Sequence, residues 1–167
     1  TNQDVRRQDR LLDEARAFEI LKEGEFGILS MRTEEGDGAY GIPINYVWDR
    51  GNSIYIHCAP VGRKLRCIDA CPNVSFCVTG RSKVIPDKFT TGYESIVLQC
   101  TAHHSLHEAE RMSALSLLIS KYCPEHKMQG IEYATSLSTA RRLSAWIFRK
   151  SAENARIWDS NLVFMTF

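Results

Sequence analysis

Five short runs of β-branched and aromatic residues, "FGILSMR", "AYGIPINYVW", "SIYIHC", "VSFCVTG" and "ESIVLQCTA", constrain this chain more than any other feature. The first three are joined by "EEGDG" and "DRGN", links rich in turn residues and far too short for a crossover helix, so those strands must run antiparallel, as a meander of hairpins. Helical spacing appears only around and between the runs. Residues 13 to 23, "DEARAFEILKE", read as an amphipathic helix with Leu12, Ala15, Phe18 and Leu21 on one side and Gly24 as the stop. "GRKLRCIDACP" fits a short helix that Pro72 helps to end. A longer one is predicted from about Ser105 to Tyr122, with Met112, Leu115, Ile119 and Tyr122 in a stripe and Pro124 closing it. A further helical stretch is expected before a last strand, "SAWIFRK". Many short strands with few helices predict a mainly β architecture, a closed or partly closed barrel with peripheral helices, in one domain spanning all 167 residues.

Composition narrows the function classes. With 21 Lys and Arg against 20 Asp and Glu, no overall field recruits nucleic acid or an acidic membrane, so any anion must be held by a local arrangement. The opening "TNQDVRRQDR" has no apolar core for a signal peptide, and runs such as "LSLLI" are too short for a bilayer. A soluble cytoplasmic protein with no membrane or nucleic-acid partner is the expectation. Six cysteines stand singly, without a C-x-x-C pair, and read as buried or half-buried thiols in a reducing compartment. His103 and His107 are four apart, but Ser105 and Glu108 have capping-box spacing that places a helix start between them, which argues against a metal site. There is no G-x-G-x-x-G, Walker A or G-x-S-x-G sequence, so a built-in Rossmann unit, a P-loop and serine hydrolase chemistry all lack support.

Two local features carry chemistry. Pro43 cannot donate to a ladder, so its strand should lie at an edge or bulge there and leave backbone groups for a ligand. Gly62, Arg63 and Lys64 fall where a strand gives way to a helix. A helix N-terminus offers unpaired N–H groups and partial positive charge, and cations there are unfavourable unless an anion offsets them, so the triplet reads either as a phosphate cradle or as a solvated first turn. Arg would grip two phosphate oxygens in plane while Lys acts as a mobile point charge. His57, just upstream, reads either as a packing residue or as a proton donor.

The order and spacing of these blocks, above all "IYIHCAPVGRKL" with Tyr55, His57, Ala59, Gly62, Lys64 and Leu65 in a Y-x-H-x-A-x-x-G-x-K-L pattern, resembles the nitroimidazole-resistance (Nim) proteins. These are members of the pyridoxamine phosphate oxidase-like superfamily with the FMN-binding split β-barrel fold. The resemblance runs from about Asp13 to about Trp146. It implies a homodimer that carries FMN, or alternatively FAD, in a cleft between subunits. It implies that Gly62, Arg63 and Lys64 contact the flavin phosphate, with Lys64 the firmer assignment because the family varies at the position of Arg63. It further implies that the backbone of Pro43, Ile44, Asn45 and Tyr46 lines the isoalloxazine ring, and that His57 lies near flavin and substrate as the catalytic candidate. Two departures stand out: "WIFRKSAENARIW" lacks the family's "TGK"-like turn, and it lacks the arginine and histidine signature of true pyridoxamine phosphate oxidases, which disfavours that activity. The terminal "DSNLVFMTF" matches nothing in the family. A flavin-dependent, nitroreductase-like oxidoreductase acting on small planar or nitro-bearing compounds leads. A non-enzymatic protein that stores flavin or senses redox state is the alternative, and a split barrel binding haem or a deazaflavin is a third.

Overall fold

The computed structural model describes residues 8–103, 106–139, 144–150, 158–159 and 162–164. After a single 3-10 turn at Gln8–Arg10 comes α1 (Glu14–Glu23), then β1 (Phe26–Arg32), β2 (Ala39–Trp48), β3 (Ser53–Cys58), α2 (Arg63–Ala70), β4 (Asn73–Ile85), β5 (Thr90–His103), α3 (Glu108–Tyr122), α4 (Lys127–Thr139), β6 (Ser144–Lys150) and the short β7 (Trp158–Asp159) and β8 (Leu162–Phe164). Every strand pairing is antiparallel. The sheet runs β4-β1-β2-β3-β6-β5, and β5 also pairs along its length with β4, so the path through six strands returns to its start. Among the described residues α1, α2 and α3 pack on this sheet and α4 packs on α3, which makes the architecture mixed α and β.

The sequence explains the local choices. Asp13 caps α1 by accepting from the Arg16 main-chain N–H at 2.7 Å, and Gly24 ends it. Gly24 is needed there for space: a Cβ would stand 2.6 Å from Val78 Cγ1 and 2.8 Å from the Tyr46 hydroxyl, while its φ of −55° suits any residue. Gly27 has the same reason, since a methyl there would fall within the Phe76 ring. β1, β2 and β3 occupy the first three runs of alternating sequence. β4 and β5 are longer than the pattern suggests, extending through Ile85 and from Thr90 as a hairpin whose register shifts between Thr79 and Ser82. Beyond that bulge both faces of β4 are open to water, so the sequence there shows no alternation.

Alternation in β2 and β3 divides the core in two. Tyr46 and Ile56 turn inward to a cluster with Leu29, Ile68, Phe76, Val78 and Ile96, closed on one side by Ala17, Ile20 and Leu21 of α1. Val47 and Tyr55 turn outward and are buried beneath Ala114 and Leu118 of α3. The helix cover explains why β3 is buried on both faces except at His57. α3 begins at Glu108 with His107 as an N-cap that makes no side-chain bond, so a start near Ser105 does not occur. Ser105 itself lies outside the described residues. Among those residues no cluster of three His, Cys, Asp or Glu side chains gathers as a metal site requires, and no helix is long and apolar enough to cross a membrane. Cys58, Cys67 and Cys100 are buried and Cys71 and Cys77 half-buried, whereas Cys123, which follows the last turn of α3, is exposed and corrects the expectation for that thiol.

Candidate functional site

The site forms where two strands part. β2 pairs with β1 from Ala39 to Asn45 but with β3 only from Tyr46 to Trp48. The next pair in register would be Asn45 with His57, and it does not form: β3 continues through His57 and Cys58 bonded only to β6. Main-chain groups alternate between the two edges of a strand. The Tyr46 N–H donates to the Tyr122 hydroxyl at 2.9 Å on the β1 side, so the groups of Asn45, Pro43 and Gly41 face the opposite, unladdered edge. Pro43 therefore stands where its missing N–H breaks no ladder, as the sequence requires of it.

Tyr122 and Lys121, at the end of α3, hold this corner in place. The Tyr122 hydroxyl lies within hydrogen-bond reach of the carbonyls of Glu25 (2.5 Å) and Tyr46 (2.9 Å) and gives its one proton between them, which closes the gap before β1 begins. Lys121 Nζ donates to the carbonyls of Gly24 (2.7 Å) and Tyr46 (2.9 Å) and lies 3.8 Å from the centre of the Tyr46 ring. Burial lowers the Lys121 pKa to about 8. The sequence marks Tyr122 only as part of an apolar stripe and Lys121 not at all, because their partners are main-chain atoms some 75 to 97 positions away.

The Gly62–Lys64 segment borders the same corner. Gly62 is the N-cap of α2 at φ 146° and has no side chain; the Leu65 and Arg66 N–H groups both return to its carbonyl (3.1 and 3.3 Å), which leaves those of Arg63 and Lys64 as the outward donors of the first turn. That turn has no side-chain cap and no acidic residue, and a Cβ built on Gly62 meets nothing within 4 Å, so the approach to these donors is open. Arg63 is exposed and lies 4.6 Å above the Tyr40 ring on the open stretch of β2. Lys64 is half-buried beside His57 and Cys58. Burial raises the Cys58 pKa and Lys64 offsets part of the rise. The His57 pKa is lowered, first by partial withdrawal from water and then by the Lys64 charge.

The structure thus gathers Gly62, Arg63, Lys64 and His57 beside the open edge that carries Pro43 and Asn45. The side chains of Asn45 and His57 share the α3 face. Ile44 and Tyr46 point the other way: Ile44 packs on the core, and Tyr46 is fully buried, its hydroxyl donating to the Leu21 carbonyl (2.7 Å) and its ring meeting Phe76 edge-on at 5.0 Å. The main-chain groups of both face the β1 side, those of Ile44 within the ladder opposite Gly27 and those of Tyr46 bonded to Tyr122 and Lys121, so of the expected ring-lining segment only Pro43 and Asn45 present main-chain groups at the open edge. A phosphate fits the uncapped turn, and a flat ring with donors and acceptors fits a strand edge that lacks its partner.

A closed antiparallel path that comes apart at one seam, beside an uncapped helix start, defines a split-sheet class of domain. Residues 13–145 match the pyridoxamine 5'-phosphate oxidase family model, and the chain belongs to that family. Among curated proteins, no sequence matches it. The fold is similar to a proposed 5-nitroimidazole antibiotic resistance protein from Bacteroides thetaiotaomicron (16% identity, TM-score 0.67, covering 85% of this chain and 82% of that one). It is also similar to a FAD-binding protein from Mesorhizobium loti (16%, 0.56, 85% and 92%) and to a FAD and haem binding protein from Mycobacterium smegmatis (16%, 0.64, 89% and 74%).

Proposed function

We propose that this chain is a flavin-binding protein of the split β-barrel type, binding FMN with FAD as the alternative, and that it works as a homodimeric, flavin-dependent reductase of small planar or nitro-bearing compounds. The observation that carries this reading is the convergence of three features at one corner: the β2 edge left by its neighbour, the uncapped start of α2 with Arg63 and Lys64, and His57 between that turn and Asn45. The closed path of six strands supports the barrel. Family membership and the flavin-binding descriptions of two structural neighbours agree with the cofactor.

In this reading a bound flavin supplies hydride or electron transfer from its ring. The chain supplies the rest. Arg63, Lys64 and the N–H groups of their turn hold the phosphate, where one unit-charge pair at about 4 Å is worth roughly 4 kcal/mol near a protein surface. The main-chain groups of Pro43 and Asn45 meet the polar edge of the ring. His57 hydrogen-bonds the substrate through its ring nitrogens, and in its imidazolium form it can give the substrate a proton, returning to the neutral ring as it does so.

Purified protein should be yellow, and the small molecule released on denaturation should have the mass of FMN or FAD. Lys64→Ala should weaken FMN binding by tenfold or more, about 1.4 kcal/mol, while Lys83→Ala, on the exposed hairpin, leaves it unchanged. Equal affinities of the two variants would remove the phosphate assignment. Chemically reduced protein should be reoxidised by a nitroimidazole faster than free reduced FMN is, and His57→Ala should slow that step while keeping the flavin. A colourless protein that fails to take up added FMN refutes the reading as a whole.

A further inference from the structure

Asn45 and His57, the pair that would have continued the β2–β3 ladder, line the mouth of a cavity of about 440 Å³ beneath α3 and α4. Its wall is apolar: Leu115, Leu118 and Ile119 come from α3 and Ala134 from α4, with Leu115, Leu118 and Ala134 almost wholly buried. The helices are drawn close at Gly130, where a methyl would come within 2.8 Å of Ile119 Cγ2. The polar groups in its lining come from Asn45, His57, Tyr122, Cys123, Tyr133 and His126, whose Nδ1 is held by Gln129 Oε1 at 2.9 Å. An apolar chamber of this size with a few convergent polar groups at its mouth is built for a compact ring compound rather than for an ion or a peptide.

We propose that this chamber is a second binding site, which takes the apolar ring system of a flat aromatic compound while an acceptor group at one end of that compound meets His57 and Asn45. The inference deepens the flavin reading and rests on it for the role of the site, not for its occupancy. Since the seam between β2 and β3 opens onto the chamber, a compound lodged there presents its polar end to the edge assigned to the flavin ring. The chamber then selects for apolar bulk behind the reacting group, which the phosphate cradle cannot do. The specificity sits on α3 and α4, whereas the cofactor contacts sit on β2 and α2.

Cys123 lines the chamber and is exposed, while Cys71 and Cys77, half-buried elsewhere, serve as internal references. The experiment measures the alkylation rate of each thiol by N-ethylmaleimide, read by peptide mass spectrometry on the full chain with and without added FMN, using 4-nitrobiphenyl as the probe. Saturating 4-nitrobiphenyl should slow Cys123 about tenfold or more, as expected when a pocket buries most of its ligand, and leave Cys71 and Cys77 unchanged. Ala134→Phe, which fills the chamber, should abolish the protection and keep FMN binding. An unchanged Cys123 rate, equal slowing of all three thiols, or protection that survives in Ala134→Phe would overturn the proposal. If Ala134→Phe does not fold, the wild-type rates decide alone. Protection of Cys123 in a protein that takes up no FMN would sink the flavin reading and leave the chamber standing; FMN uptake without protection would do the reverse.

Discussion

Replacing Tyr122 with Phe removes one oxygen atom and leaves the ring, so it isolates the hydrogen bonds that fasten α3 to the parting strands. That oxygen accepts from the Tyr46 N–H at 2.9 Å, and its one proton is shared between the carbonyls of Glu25 and Tyr46. Without it, the Tyr46 carbonyl still has Lys121 Nζ at 2.9 Å, and the exposed Glu25 can turn its carbonyl to water. The Tyr46 N–H belongs to a fully buried residue and has no such recourse. A buried donor left unpaired costs about 1–3 kcal/mol, so Tyr122→Phe should lower stability by about 2 kcal/mol, or about 4–8 °C in Tm for a domain of this size. Urea denaturation followed by tryptophan fluorescence measures the change. Tyr133→Phe, at a residue 65% exposed, is the control and should stay within about 0.5 kcal/mol of wild type. If Tyr122→Phe is as stable as the control, the corner is not held by that hydroxyl, and the account of why Asn45 faces the open edge loses its anchor.

Three other outcomes are expected. Gly27→Ala should destabilise by about 1–3 kcal/mol, since its methyl must displace the buried Phe76 ring; thermal unfolding checks this. Gly62→Ala meets no atom, so its cost is confined to the backbone at φ 146°; it should lower Tm modestly and weaken FMN binding by tilting the donors of the α2 turn, both measurable by fluorescence. Glu94 accepts from Arg16 Nε (3.1 Å), Arg16 Nη2 (2.6 Å) and the Arg81 N–H (3.1 Å), and the Arg16 pairing foremost holds its pKa below 4.5. A depressed carboxylate stabilises the fold above its unfolded pKa and loses that contribution as pH falls through the folded value. The Tm gap between wild type and Glu94→Gln should therefore be full at pH 7 and shrink below about pH 4.5; a gap independent of pH would refute the pairing.

Much of the sheet was legible because β1, β2 and β3 alternate cleanly and their links admit only hairpins. The outer half of the β4–β5 hairpin was not. Residues 81–84 face water on both sides, and without a buried face the period of two has nothing to record there. The start of α3 misled for a similar reason: Ser105 and Glu108 have the spacing of a capping box, but β5 runs on through His103 and delays the helix to Glu108. At the site, Pro43 and Gly62 announced themselves, since each carries a backbone constraint visible in one letter. The inward turn of Ile44 and Tyr46 followed only from the register. The chamber left no trace in the sequence, because Asn45 and His57 meet Leu115, Ile119 and Ala134 only after α3 has folded back over the sheet.

The open run of β2 has one more consequence. A strand that lacks a neighbour invites an alien one, and proteins that keep such a margin usually guard it against clumping. Here Pro43 sits in the middle of the margin with nothing to donate, and the bare glycine at 41 offers an intruder little to grip. Pro43, with no N–H to give at that margin, thereby makes it a poorer template for a second polypeptide.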